Sequence, residues 1–193
     1  MKGQLTEIPI LETGNFLLRA IAERDAEDLF YFLSQRKTMQ YITPHPVESQ
    51  NDVLDEILQS MERFVQQTEI PWVIVDKRTG VVIGKFSFHK LSMWHKKAEM
   101  AAVISQEYQN SGVMTEVLET VLDYGFDTLE LNRIAGDIFA ANDASRKLLQ
   151  NYGFREEGTM RQTDFDGEKF QDTIVFSQLK PEYDARKRNR KHG

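Results

Sequence analysis

The sequence predicts an α/β (α+β) fold, a mixed and mostly antiparallel sheet with helices packed against it. Three observations predict it. Strand-like runs around Arg78-Thr79-Gly80 and Asp166-Gly167 read as hairpins. After Gly112 the apolar period lengthens from 2 to 3.6 and then returns to a strand at Ile134–Phe139, a strand–helix–strand crossover that a purely antiparallel protein lacks. The chain of 193 residues, 40% apolar and 28% charged, suits one globular domain with a full core.

Phe16-Leu17-Leu18-Arg19-Ala20 reads as the first strand, and Asp25 as the cap of a short helix bearing Leu29, Phe32 and Leu33. Thr43-Pro44-His45-Pro46 breaks the chain. Val53, Leu54, Ile57, Leu58, Met61 and Val65 then recur at helical spacing behind Ser49, a second N-cap. Trp72–Asp76 and Val81–His89 are rich in β-branched and aromatic residues and form a hairpin, and Ala98–Ile104 is the next strand. Val113, Val117 and Val121, with Met114, Leu118 and Leu122 beside them, mark a core helix. Asp143–Tyr152 is a short helix stopped by Gly153, and the last strand runs from Phe170 to about Leu179. Residues 1–183 are expected to form one domain and 184–193 a basic tail.

The net charge of −6 is unevenly spread: Arg186, Lys187, Arg188, Arg190 and Lys191 sit together, and the remainder carries −11. An acidic body repels polynucleotides and attracts cationic ligands such as amines. The tail reads as a solvated, disordered terminus, with RNA contact as its alternative. Cysteine is absent, which excludes disulfides, thiol nucleophiles and cysteine zinc sites, and His45, His89, His95 and His192 lack ligand spacing; no metal is expected. No apolar run reaches the length of a membrane span, and Met1–Gly14 has no continuous apolar stretch of a secretory leader, so a cytoplasmic location is expected. Trp94, in a polar stretch, is expected at a rim or at the contact of a homodimer.

Between the strand ending near Ser105 and the helix opening at Gly112 lies a short polar loop, Glu107 to Thr115. A helix N-terminus offers four unpaired N–H groups and a partial positive charge, which suits a phosphate or pyrophosphate. Gly112 permits a close main-chain approach or a positive φ. Taken alone, a glycine that merely turns the chain explains the loop equally well.

Gln109-x-x-Gly112-x-Met114 resembles the acetyl-CoA motif of GNAT acetyltransferases, Gln/Arg-x-x-Gly-x-Gly/Ala, with Met114 at the final small position. Ala98-Glu99-Met100-Ala101 and Gly112-Val113-Met114-Thr115-Glu116 are similar to the branch of ribosomal-protein N-terminal acetyltransferases, although Ala101 and Asn110 stand where that branch often has glycine. Asn142-Asp143-Ala144-Ser145, Tyr152-Gly153-Phe154, Glu157-Gly158 and Arg161 match the later series in order and spacing. The resemblance runs from Leu11 to the last strand. It implies a sheet whose central strands splay, with the pantetheine arm of acetyl-CoA added between them like an extra strand.

The resemblance further implies that acetyl-CoA, the co-substrate, is held by Ala102, Val103, Ile104, Gln109, Asn110, Ser111, Gly112, Val113, Met114 and Thr115, mainly through main-chain groups, and by Asn142 and Ser145, with Asn142 on the pantetheine amide. Ser145 would protonate the leaving thiolate, because the tyrosine that many family members place seven residues after the motif asparagine is Leu149 here. Tyr152 is a weaker alternative. Glu99 is the expected base, acting through water, with Glu107 and Glu116 unranked beside it. Each has a plain structural reading too: Ser145 and Asn142 as helix caps, Glu99 as a solvated strand carboxylate. The expected acceptor is a protein N-terminal α-amine, whose pKa near 7.7 to 8.0 asks little of a base. A polyamine, aminoglycoside or amino acid acceptor, and a non-catalytic acetyl-CoA binder, are the alternatives.

Overall fold

The computed structural model describes residues 5–191. Its strands are β1 (Leu11–Glu12), β2 (Phe16–Ala20), β3 (Ile70–Asp76), β4 (Val82–Ser92), β5 (Lys97–Ile104), β6 (Arg133–Phe139), β7 (Arg155–Phe165) and β8 (Phe170–Leu179). Its helices are α1 (Ala26–Leu33), α2 (Arg36–Met39), α3 (Gln50–Val65), α4 (Val113–Asp123), α5 (Asp143–Asn151) and α6 (Lys180–Lys191). The strands form one sheet in the order β1-β2-β3-β4-β5-β6-β8-β7. Every neighbouring pair is antiparallel except β5 and β6, the strands joined by the α4 crossover.

Alternation along the strands divides the core in two. Trp72, Phe86, Phe88, Ile134 and Phe176 meet Val117, Val121 and Leu122 of α4 on one face. Val73, Val75, Val82 and Val103 meet α1 and α3 through Leu29, Phe32, Val53 and Ile57 on the other. Ser49 caps α3 as expected: its Oγ accepts from the Asp52 N–H at 3.2 Å while the Asp52 carboxylate accepts from the Ser49 N–H at 2.8 Å. Farther along α3 the buried residue is Phe64, and Val65 is 69% exposed. Eleven residues make about three turns, so Phe64 returns to the side of Val53 while Val65 rotates away by about 100° more. Asp25 stands at the head of α1, but its carboxylate bonds to Arg19 and the Ala22 N–H, not to the helix amides.

The basic C-terminus corrects the expectation of a disordered tail. Residues 180–191 are helical, and the boundary drawn at 183/184 falls inside that helix. Tyr183 is fully buried and stacks on Phe126 at 4.7 Å. Glu119, Asp123 and Asp127 project from α4 and the π-helical turn that extends it. They receive Arg186 (3.0 Å to Glu119), Lys187 (2.7 Å to Asp127) and Lys180 (2.8 Å to Asp127). The charge run is ordered by an acidic helix face distant in sequence.

Burial works against ionisation of Asp127, but the donors Lys180, Lys187 and Tyr183 outweigh it and hold its pKa at about 2. A carboxylate depressed in this way stabilises the fold above its unfolded pKa of about 3.9 and stops doing so as pH falls through its folded value. The protection factors of the α6 amides, exchange taken relative to its intrinsic rate at each pH, should therefore fall between about pH 4 and pH 2. An Asp127→Asn variant should exchange faster at pH 6 and show a smaller acid step.

Candidate functional site

β5 and β6 pair through only three rungs, Lys97–Arg133, Ala98–Ile134 and Glu99–Ala135. Beyond them β5 stays on β4 as far as Ile104 opposite Gly84, and β6 stays on β8 as far as Phe139 opposite Thr173. The facing edges of Met100–Ile104 and Gly136–Phe139 therefore run apart without pairing each other. A cleft of about 1400 Å³ opens there, reaching from the head of α4 to the side of the sheet covered by α1 and α3. Main-chain donors and acceptors along a strand edge demand partners, so this opening suits an extended, amide-bearing ligand.

The loop from β5 to α4 is shaped by its own side chains. Gln109 Nε2 donates to the Ile104 carbonyl at 2.9 Å, and the Ser111 hydroxyl donates to the Tyr108 carbonyl at 2.6 Å. Asn110 lies at φ +58° and Gly112 at φ +86°, so the chain turns twice through the left-handed region, which Asn tolerates and Gly enters freely. Among the described residues, the N–H groups of 110–114 have no acceptor, and a Cβ built on Gly112 would meet nothing within 4 Å. Exposed donors at a helix N-terminus beside open space fit a diphosphate.

Most of the expected cofactor contacts line this cleft: Ala102, Val103 and Ile104 on β5, then Gln109, Asn110, Gly112, Val113, Met114 and Thr115. Ser111 does not; its hydroxyl is turned back to Tyr108. Asn142 and Ser145 line it from α5. Asn142 Oδ1 accepts from the Ser145 N–H at 3.1 Å, so the cap reading of Asn142 is real and leaves its amide NH2 for another partner. Leu149, where the family tyrosine would stand, is buried. Tyr152 is buried as well and donates to the Thr115 carbonyl, tying α5 to the first turn of α4; burial raises its pKa, and it does not reach the cleft.

The structure ranks the three glutamates. Glu116 takes hydrogen bonds from Asn15 Nδ2 (2.6 Å), Thr13 Oγ1 (2.8 Å) and the Asn15 N–H, which lower its pKa and fasten α4 to the N-terminal strands. Glu107 accepts the Tyr31 hydroxyl at 2.7 Å. Neither lines the cleft, whereas Glu99 does. It lies on the face shared with Val103, opposite His89 of β4. The β4 register slips between His89 and Ser92, with Lys90 at φ +46°, and this bulge sets the Lys90 ammonium 2.7 Å from Glu99. His89 Nε2 is 3.5 Å from the same carboxylate. Burial lowers the His89 pKa against the opposing pull of Glu99, so the imidazole is neutral at pH 7.

Asp137 joins this group from β6, and sequence reasoning missed both it and His89. Partial burial, then the charge of Glu99, raises its pKa. A signal existed, since Asp137 is the one charged residue inside the otherwise apolar run Ile134–Phe139. Its neighbours across the sheet, however, follow from register and not from any local spacing.

A family model of the acetyltransferase (GNAT) domain matches residues 15–155. The uncharacterized N-acetyltransferase YoaA of Bacillus subtilis is 35% identical over 173 residues, covering 90% of this chain and 98% of that protein. The structure of ribosomal-protein-S5-alanine acetyltransferase from Vibrio fischeri superposes with a TM-score of 0.80 at 20% identity, covering 91% of this chain and 98% of that one. That of spermidine N-acetyltransferase from Vibrio cholerae, in complex with CoA and spermine, gives 0.79 at 24%, covering 88% and 98%.

If the left-handed turn at Gly112 shapes the diphosphate grip, Gly112→Ala should weaken coenzyme A binding about tenfold. An alanine held at φ +86° costs about 1–2 kcal/mol, and no neighbour is there to be displaced. Isothermal calorimetry measures it directly.

Proposed function

This chain belongs to the GNAT acetyltransferase family, and on that footing we propose that it transfers the acetyl group of acetyl-CoA to the free α-amine of a protein N-terminus. The observation that carries the reading is the opening between β5 and β6, a cleft lined both by the bare N-terminus of α4 and by residues of α1 and α3. Coenzyme A has a diphosphate at one end and an amide-containing arm leading to the thioester at the other. The helix terminus takes the first, and the free edges of Met100–Ile104 and Gly136–Phe139 take the second. Ser145, at the head of α5, supplies a hydroxyl to the departing thiolate, and Asn142 offers its NH2 to the arm.

The α1/α3 face supports a singly charged amine over a polyamine. Of the cleft's carboxylates there, Glu56 is paired with Lys85 at 2.9 Å, Glu69 with Arg63 and Glu99 with Lys90. Much of the negative charge is met internally, and apolar groups such as Leu29, Leu33 and Ile57 lie beside it. One ammonium on a peptide backbone needs one free carboxylate, whereas a polycation needs several. The α-amine also deprotonates easily: about a tenth is neutral at pH 7, against almost none of a lysine side chain.

Thiol release with acetyl-CoA should favour peptides bearing a free N-terminal alanine or serine over spermidine by about tenfold or more in kcat/KM. The reverse order would assign the enzyme to small polyamines, and binding of acetyl-CoA without turnover on any amine would make it a binding protein. Ser145→Ala should lower kcat by about 10- to 100-fold and leave the Kd for acetyl-CoA nearly unchanged. Full turnover in that variant would leave Ser145 only its place in the helix.

A further inference from the structure

We infer that Asp137 is the group that receives the acceptor's proton, and that Glu99 is a positioning residue held by Lys90. The inference rests on the acetyl-transfer reading above and concerns where its base lies. Five carboxylates line the cleft: Glu56, Glu69, Glu99, Asp137 and Asp164. Four are already engaged, Glu56 by Lys85, Glu69 by Arg63, Glu99 by Lys90, and Asp164 by the Thr173 hydroxyl at 3.0 Å. Among the described residues, Asp137 alone of the five has neither a hydrogen-bond donor nor a cation at ion-pair distance.

Its place in the sheet suits the task. The last β5–β6 rung joins Glu99 to Ala135, and Asp137 stands two residues farther along β6, where the strands have parted. Ile134 faces the α4 core and Ile138 packs against it, so the pleat turns Asp137 to the opposite, acceptor-side face that Glu99 and His89 share. The charged and titratable groups around it come from β4, β5 and β6. His89 and Lys90 lie on β4, Glu99 on β5 and Arg133 on β6 itself. Arg133 is bound at both guanidinium nitrogens by Glu157 of β7, and Lys90 by Glu99. Partial burial, then the negative charge of Glu99, outweighs the opposing pull of Lys90, His89 and Arg133 and makes Asp137 more basic than an ordinary carboxylate, the direction a general base needs. The bulge at Lys90 has a role here: it fixes Glu99 so that its charge stays in place.

The proton count closes. The acceptor enters as an ammonium and gives its first proton to Asp137, which becomes a neutral acid. The freed nitrogen bonds to the acetyl carbon, and the carbon–sulfur bond breaks with its electron pair going to sulfur. The second proton on nitrogen ends on the thiolate by way of Ser145, and Asp137 returns its proton to water. One amide, one thiol and one released proton result.

The test uses the 193-residue chain, acetyl-CoA and a peptide with a free N-terminal serine, following thiol release from pH 4 to 9. Asp137→Asn should lower kcat/KM at pH 7 by about 10- to 100-fold. It should also abolish the rise of kcat/KM with pH that the wild type shows through an ionisation above the usual carboxylate range, while the Kd for acetyl-CoA stays the same. Glu99→Gln removes the repelling charge, so the rise should persist but move to lower pH. A wild-type profile for Asp137→Asn, or a profile lost in Glu99→Gln and kept in Asp137→Asn, overturns the assignment and leaves acetyl transfer standing. A wild-type protein that binds acetyl-CoA yet acetylates neither the peptide nor spermidine overturns both.

Discussion

Everything in this fold that bears on function depends on two parallel strands that pair for three rungs and then separate. Had β5 and β6 stayed together to their ends, the sheet would be closed and α4 would cap a wall. Because each keeps its outer neighbour, the separation costs main-chain hydrogen bonds only along the two inner edges, and those edges line the opening. The helices that follow the two strands, α4 and α5, both begin at the parted end, so two helix N-termini meet the same crevice. This is the general logic of ligand sites in sheets with parallel strands, here reduced to a single pair.

Much of this order was legible in the sequence. The change of period at Gly112, the Ser49 cap and the Asp166-Gly167 turn are local signals, and local physics decides them: a 3.6-residue repeat, a side-chain oxygen three residues before an N–H, a backbone that must enter positive φ. The parting of β5 and β6 is different. Nothing within Ala98–Ile104 or Ile134–Phe139 says where pairing stops, and the resemblance to a known family supplied that expectation. Glu99 and Asn142 could be named from motifs, yet their bonding could not, since Lys90 reaches Glu99 only through a bulge, and His89 and Asp137 join the group only through register.

The reading of net charge shows a second limit. Composition described an acidic body with a loose basic end, two regions to be reasoned about separately. The structure folds one onto the other: the cations of α6 rest on the carboxylates of α4 and its extension, and Tyr183 is buried between them. In the cleft, likewise, five acidic side chains suggest a strong trap for cations until their partners are counted. Sums of charge predict long-range fields, whereas recognition depends on which charges are left without a partner.

The same parity that hides Asp137 from sequence reasoning gives the site its economy. β6 carries Asp137 on the face toward α1 and α3, and the helix that continues from β6 carries Ser145 on the side where Leu149 and Tyr152 join the α4 core. On the proposed reading, the two proton transfers of an amide-forming reaction would lie on opposite sides of one opening, both fixed by a single strand and the helix after it. Tyr152 then ties that helix to the Thr115 carbonyl in the first turn of α4. On the proposed reading, the diphosphate site and the donor for the thiolate are held together by this one part-buried hydrogen bond, so a disturbance at Tyr152 would reach binding and chemistry alike although its own side chain does not line the cleft.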